Sequence, residues 1–152
     1  MGQLKNRNIS SALILAAQKL YTENTARVRV GNELREVFEV TKGLRQGCGL
    51  SPTLFKLYLV GILRDWQRRC EPMGVQLEES RLFTLYFADD QVVLVGDQED
   101  LSYMIRKLNE VYELNGMLMN VEKCECLIVG NDTVEDLPLE HGVIKGSGKL
   151  DI

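Results

Sequence analysis

The sequence predicts an α+β fold, in which short strand pairs alternate with longer helices. The stretch 82–95 has two runs rich in aromatic and β-branched residues, separated by adjacent aspartates. The stretch 52–69 is apolar around nearly its whole circumference, which is typical of a helix that is buried on several sides. A third stretch, 98–115, is amphipathic at helical spacing. The 152 residues are sufficient for a single hydrophobic core.

The aspartates at the centre of 82–95 are Asp89 and Asp90. Aspartate favours turns, so the pattern predicts a β-hairpin with both carboxylates at its tip. Two carboxylates about 4 Å apart repel by roughly 4 kcal/mol at an effective dielectric near 20. A bound divalent cation would offset that repulsion, because hard cations prefer carboxylate oxygens. For the pair taken alone, an ordinary polar turn is the favoured alternative.

The amino-terminal third predicts one helix and one hairpin. The helix covers 9–20, with Asn8 or Ser10 as its N-cap. The hairpin covers 26–40 and turns at Gly31-Asn32, a dipeptide suited to a tight turn. The expected buried face of the helix consists of Ile9, Leu13, Ala16 and Leu20.

A glycine-rich loop precedes the apolar helix. Glycines at 43, 47 and 49 allow the backbone of this loop to approach a ligand closely. Ser51 is the expected N-cap, with Pro52 at the first helical position. The stretch 72–74 then turns the chain.

The carboxyl-terminal third predicts one helix, one short strand and a tail. Asp97 is the expected N-cap of the helix over 98–115, which Gly116 ends. Residues 126–129 form the expected final strand. We predict one folded domain over 1–130, followed by a loop-like or disordered tail over 131–152.

Charge is distributed unevenly along the chain, although the net charge is only −4. Residues 1–70 hold 12 Lys/Arg against 5 Asp/Glu, whereas residues 71–152 hold 6 against 17. A basic segment favours binding of phosphate groups, and an acidic segment favours binding of cations. A solvated acidic tail is the competing explanation, and for 131–152 it is the preferred one.

The cysteines and the hydropathy pattern indicate an intracellular protein, in the nucleus or the cytoplasm. Cys48, Cys70, Cys124 and Cys126 have no disulfide-rich spacing and are expected to be reduced thiols. Cys124 and Cys126, taken together with the single His141, are residue types that bind zinc, but the two-residue spacing that is usual between zinc thiolates is absent. No apolar run has the length of a membrane span, so no membrane partner is expected.

Three ordered segments give the sequence a family resemblance. Lys42 to Phe55 reads KGLRQGCGLSPTLF, the segment 87–90 reads FADD, and Gly116 to Lys123 reads GMLMNVEK. In this order and at these spacings, they resemble conserved motifs B, C and D of reverse transcriptases, the RNA-directed DNA polymerases. The resemblance is strongest to the LINE-like group of non-LTR retrotransposons and runs from about residue 21 to residue 130. A group II intron-type enzyme is a weaker alternative, because Ala-Asp-Asp also occurs there.

The resemblance implies an α+β palm domain, which is an antiparallel sheet with helices packed on one of its faces. It also implies a nucleotidyl transfer that uses two metal ions. Its implied cofactor is Mg2+ (or Mn2+), and its implied partners are an RNA template, a DNA primer and deoxynucleoside triphosphates. Asp89 inherits the role of metal ligand and Asp90 a supporting one, while Lys123 inherits the motif D role beside the departing pyrophosphate. The implied nucleotide- and template-binding residues are Arg45, Gln46, Gly47, Phe87 and Ala88.

The sequence departs from the family pattern before motif B. The first aspartate is Asp65, inside the expected motif B helix, so the motif A metal ligand is missing. The expected fold therefore lacks the motif A strand, the fingers and the thumb. We expect a truncated palm with little or no activity by itself. The alternatives are a non-catalytic module, which binds nucleic acid or pairs with a protein partner or a second copy through an open sheet edge, and a decayed fragment without a selected function.

Overall fold

The computed structural model describes residues 9–129 and 135–150, with the backbone alone for 147–150. It divides into two compact units, Met1–Gly61 and Ile62–Ile152. The helices are α1 (Ser11–Tyr21), α2 (Ser51–Cys70) and α3 (Gln98–Leu114), and short 3-10 turns cover Glu71–Met73 and Val121–Lys123. The strands are β1 (Thr25–Ala26), β2 (Arg29–Val30), β3 (Glu33–Leu34), β4 (Phe38–Glu39), β5 (Val75–Leu77), β6 (Ser80–Leu82), β7 (Thr84–Phe87), β8 (Asp90–Val93), β9 (Glu125–Val129), β10 (Leu137–Leu139) and β11 (Gly142–Leu150).

The first helix confirms the expected cap and corrects the expected buried face. The Ser10 side chain accepts a hydrogen bond from the Leu13 backbone N–H, so Ser10 is the N-cap. Ile14 and Ala17 are the buried residues of α1, whereas Leu13 and Leu20 are exposed. Helical spacing alone did not identify this face, because the stretch 12–17 is apolar on every side.

The hairpin predicted over 26–40 is present as two consecutive antiparallel ladders. Strands β2 and β3 pair around the Gly31–Asn32 turn, and Gly31 has a φ of 62°, which glycine adopts without a steric penalty. Farther from the turn, β1 pairs with β4. The dipeptide identified at the sequence level is therefore the turn.

Helix α2 begins one residue earlier than predicted, and Ser51 is not its N-cap. The Leu54 backbone N–H donates to the Leu50 carbonyl oxygen, so Ser51 is already helical. Its hydroxyl donates instead to the Arg45 carbonyl oxygen at 2.8 Å. The side chain of Ser51 thus ties the helix to the preceding loop, because a nearby carbonyl competes with the helix amides for the hydroxyl.

The second unit has its core between the end of α2, α3 and two strand pairs. The Trp66 indole is 3% exposed and donates from Nε1 to the Met104 carbonyl oxygen at 2.9 Å, which satisfies its only donor. Its ring lies 6.1 Å from that of Phe83, between β6 and β7. The Asp97 carboxylate accepts from the Asp100 backbone N–H, as predicted for the N-cap of α3.

Residues 137–150 correct the expectation of a loop or disordered tail. Strand β11 lies in the middle of a three-stranded sheet, antiparallel to β10 and parallel to β9. Cys126, Leu137 and Ile144, one from each strand, form its buried cluster. The glycines of β11 and the acidic residues around it concealed the strand in the sequence, because both are depleted in strands. The domain boundary at residue 130 stays a prediction.

The fold is a mixture of helices and strands, as predicted, but its strands do not form one antiparallel sheet. Within residues 9–129 and 135–150 they form four two-stranded ladders and one three-stranded sheet. Strands β7 and β8 pair with each other alone in that part of the chain. None of the described helices is both long and apolar enough to cross a membrane.

Candidate active-site hairpin and glycine-rich loop

The β7–β8 hairpin places Asp89 and Asp90 at its tip, as the sequence predicted. Phe87 and Asp90 are register partners, so Ala88 and Asp89 form a two-residue loop. Ala88 has a φ of 53°, in the left-handed region that residues other than glycine rarely adopt. Two-residue hairpin loops require this sign of φ at their first residue, because it matches the twist of the strands. Both aspartates at this tip are exposed to solvent.

The two faces of the hairpin differ in burial. Leu85 and Val92 are opposite each other, and both are about half exposed. Phe87, on the same face, is 83% exposed and lies beside Asp90. Adjacent carboxylates thus stand at the end of an apolar strip, where they are not shielded from solvent.

The opposite face of the hairpin is fixed to the helices by polar side chains. Tyr86 and Gln91 are register partners on this face. The Tyr112 hydroxyl of α3 donates to Gln91 Oε1 at 2.5 Å, and the Gln67 amide of α2 reaches the Tyr86 hydroxyl at 3.4 Å. Burial raises the pKa of both Tyr86 and Tyr112, so both phenols are neutral; Tyr112 donates its proton to Gln91, whereas Tyr86 accepts from Gln67. Sequence analysis missed this network, although period-two alternation places Tyr86 and Gln91 opposite the apolar strip.

The glycine-rich loop holds Arg45, Gln46 and Gly47 in one exposed segment. The Arg45 guanidinium donates from Nε to Asn24 Oδ1 at 3.0 Å and lies 6.0 Å from the centre of the Tyr21 ring. Gly47 has a φ of 79°, and a Cβ at this position would meet nothing within 4 Å. Glycine is therefore required by the backbone conformation there and not by crowding. The roles of Asn24 and Tyr21 had no signal in the sequence, because both precede the loop by about twenty residues.

Cys48 is electrostatically distinct within this loop. The Leu50 backbone N–H and then the Ser51 hydroxyl lower the pKa of the Cys48 thiol. The other three thiols behave oppositely, because burial raises the pKa of Cys70, Cys124 and Cys126. All four cysteines are free thiols, as expected.

Lys123 ends the 3-10 turn Val121–Lys123, and its side chain is exposed. Its backbone N–H donates to the Asn120 carbonyl oxygen at 3.1 Å, which fixes the turn. In the described part of the second unit, no ion pair joins Lys123 to Asp89 or Asp90. The structure therefore brings together Phe87, Ala88, Asp89 and Asp90, and it does not join Lys123 to their carboxylates by an ion pair.

Comparison with known proteins places the glycine-rich loop, the hairpin and the Lys123 turn within one matched region. Residues 3–140 match the family described as reverse transcriptase (RNA-dependent DNA polymerase). The chain is similar to the Retrovirus-related Pol polyprotein from type-1 retrotransposable element R2 of Nasonia vitripennis, with 29% identity over 108 residues, 71% of this chain and 10% of that protein. It is also similar to the polyprotein of the same description from Popillia japonica, with 30% identity over 99 residues, 65% of this chain and 14% of that protein. The matched region is thus a small part of either polyprotein.

Proposed function

The chain belongs to the reverse transcriptase family, and we propose that it is a palm segment of an RNA-directed DNA polymerase from a non-LTR retrotransposon. The observation that carries this proposal is the β7–β8 hairpin. It presents Asp89 and Asp90 outward from a tight turn. Its other face is anchored to two helices through Tyr86 and Gln91.

In the proposed reaction, a primer 3′-hydroxyl attacks the α-phosphate of a deoxynucleoside triphosphate, and pyrophosphate leaves. The attacking and leaving oxygens of this reaction class are stabilised by two divalent ions roughly 3.5–4 Å apart. The donor chemistry of Asp89 and Asp90 fits Mg2+ or Mn2+, because Mg2+ is commonly held by one or two carboxylates together with substrate phosphates. Asp89 is the proposed ligand, and Asp90 supports it.

The remaining residues position the substrates in this proposal. The exposed Phe87 ring and Ala88 lie against the primer end. Arg45 and Gln46 shape the surface under the incoming nucleotide and template base, where Gly47 leaves open space. Lys123 donates a proton to the departing pyrophosphate.

Activity should be measured as primer extension on an RNA template with Mg2+ or Mn2+. We expect the 152-residue chain to give little or no extension, because no third ligand residue lies beside the two aspartates within the described part of residues 62–150. The unmodified chain is compared with an Asp89→Ala/Asp90→Ala variant. The control is Asp65→Asn, which removes an aspartate from an exposed ion pair with Arg68. Strong extension that the double variant abolishes would show that the chain holds a complete metal site, against this expectation.

Metal binding tests the hairpin without requiring turnover. Titration with Mn2+ should broaden the amide NMR signals of residues 87–91 through paramagnetic relaxation. We expect the double alanine variant to abolish this local broadening and Asp65→Asn to preserve it. Unchanged broadening in the double variant would refute the assignment of Asp89 and Asp90 as metal ligands.

A non-catalytic pairing module is the second candidate, and the open edges of the hairpin favour it. Neither β7 nor β8 has another partner strand in the part of the second unit that the structure describes. The exposed strip of Leu85, Phe87 and Val92 adds apolar surface beside those edges. Sedimentation velocity over a range of concentrations should show self-association that Val92→Lys weakens. A monomer at every concentration would count against self-pairing.

A further inference from the structure

The second unit gathers three metal-binding side chains away from the hairpin aspartates. Glu113 lies in the last turn of α3, and Glu140 and His141 form the turn between β10 and β11. One ligand atom from each residue lies within 4.8 Å of the other two. His141 Nε2 and Glu113 Oε1 are 3.3 Å apart. In the described residues this is the one group of three potential ligands.

The donor types and the separation of two of the three ligands match a zinc ion. Zinc binds imidazole nitrogen and carboxylate oxygen at about 2.0–2.2 Å, so two ligands of a tetrahedral site are about 3.3–3.5 Å apart. The separation of His141 Nε2 and Glu113 Oε1 falls within that interval. Magnesium is disfavoured, because it prefers oxygen ligands and retains its water. An ordinary His–Glu ion pair explains the 3.3 Å contact but does not require Glu140 to converge on it.

A buried amide orients the Glu113 carboxylate. Asn109 lies one helical turn earlier on α3, is 8% exposed, and donates from Nδ2 to Glu113 Oε1 at 2.7 Å. Metal ligands commonly have such a hydrogen-bonded supporting residue, which fixes their direction and increases affinity. Because a carboxylate oxygen has two lone pairs, Oε1 can accept from Asn109 and bind a metal at the same time.

A cleft of about 260 Å³ adjoins these residues. Asn109, Glu113 and His141 supply its polar wall, and Leu118, Met119, Val121 and Leu139 supply its apolar wall. Three protein ligands leave the fourth position of a tetrahedral zinc ion for water or a small ligand, and the cleft has room for either.

We propose that Glu113, Glu140 and His141 form a zinc site whose fourth position opens into this cleft. The site joins the end of α3 to the β10–β11 turn through one ion. It uses residues separate from Asp89 and Asp90 and does not depend on polymerase activity.

The single histidine of the chain provides the test. Its ring protons give an NMR signal that reports directly on His141. Titration with Zn2+ should shift this signal with one-to-one stoichiometry, whereas Mg2+ at equal concentration should leave it unchanged. We expect Glu113→Gln to weaken the zinc affinity at least tenfold. This variant keeps an oxygen acceptor for Asn109, so the buried amide remains paired.

The matched control is Glu110→Gln, on the same helix and in an exposed ion pair with Lys107. It should bind zinc as the unmodified chain does. Isothermal titration of His141→Asn should show that the high-affinity event is lost. A histidine signal that does not respond would overturn the proposal, and so would zinc binding that persists in Glu113→Gln but disappears in Cys124→Ser.

Discussion

The Tyr112 hydroxyl donates to Gln91 Oε1 at 2.5 Å, which ties α3 to the strand that begins with Asp90. The bond lies on the face of the hairpin opposite the exposed apolar strip. The direction of the two carboxylates is therefore set by a side chain more than twenty residues farther along the chain.

Removal of this hydroxyl should loosen the hairpin. Tyr112→Phe removes the donor to the half-buried Gln91 Oε1, while the Gln91 Nε2 keeps its bond to Thr84, so we expect the free energy of unfolding to fall by about 1–2 kcal/mol. Urea denaturation measures the change, and hydrogen exchange should increase at the amides of 84–93. Tyr103→Phe, on the same helix, is the control. Equal stability of the two variants would show that the Tyr112 bond contributes little.

Relief of the backbone strain at Ala88 should stabilise the hairpin. Glycine adopts a φ of 53° without the steric penalty that alanine has. Ala88→Gly is expected to increase the free energy of unfolding by up to about 1 kcal/mol. Glu78→Gly, at another left-handed position of the second unit with a φ of 49°, should change the stability in the same direction. Thermal denaturation of both variants measures the effect, and a loss of stability in Ala88→Gly would contradict it.

Gly74 should not tolerate a side chain. A Cβ there would lie 2.6 Å from Phe83 Cβ and 2.8 Å from the Leu82 carbonyl oxygen, although the φ of −67° suits any residue. We expect Gly74→Ala to lower the free energy of unfolding by about 1–3 kcal/mol, because Phe83 packs against Trp66. Gly96→Ala, which has open space, is the matched control in urea denaturation. A smaller loss in Gly74→Ala than in the control would show that the backbone adjusts freely.

Alkaline pH should destabilise the second unit through Cys70. Burial raises the pKa of this fully buried thiol from 9.0 to about 11. The unfolded thiol ionises first, so the stabilising contribution is complete below pH 9 and is lost as the pH rises to about 11. The loss amounts to at most about 3 kcal/mol. Cys70→Ala should flatten the dependence of unfolding free energy on pH in this interval, and an unchanged slope would refute the assignment.

Cys48 should be the most reactive of the four thiols. Its lowered pKa gives it a larger thiolate fraction than the buried cysteines have. With limiting iodoacetamide near neutral pH, we expect Cys48 to be alkylated first and Cys70 last. Peptide mass spectrometry measures the order. Faster modification of Cys124 would indicate that exposure, and not the hydrogen bonds from Leu50 and Ser51, determines the rate.

Local sequence signals predicted turns and caps correctly, whereas contacts between segments distant in the sequence could not be predicted from them. Gly31-Asn32, Ser10 and Asp97 act within three or four residues, so their chemistry is readable from the sequence. The Ser51 bond to Arg45 replaced the predicted cap, because a nearby carbonyl competed for the hydroxyl. Glu113 meets His141 across 28 residues, a pairing that no periodicity specifies.

The position of β11 between β9 and β10 has a consequence for synthesis on the ribosome. Both flanking strands emerge before the strand with which they pair. During that interval their backbone groups have no partner within this sheet, and Cys126 and Leu137 lack the Ile144 side chain that completes their cluster. The three-stranded sheet therefore assembles late, and the nascent chain passes through a stage in which exposed strand edges favour aggregation.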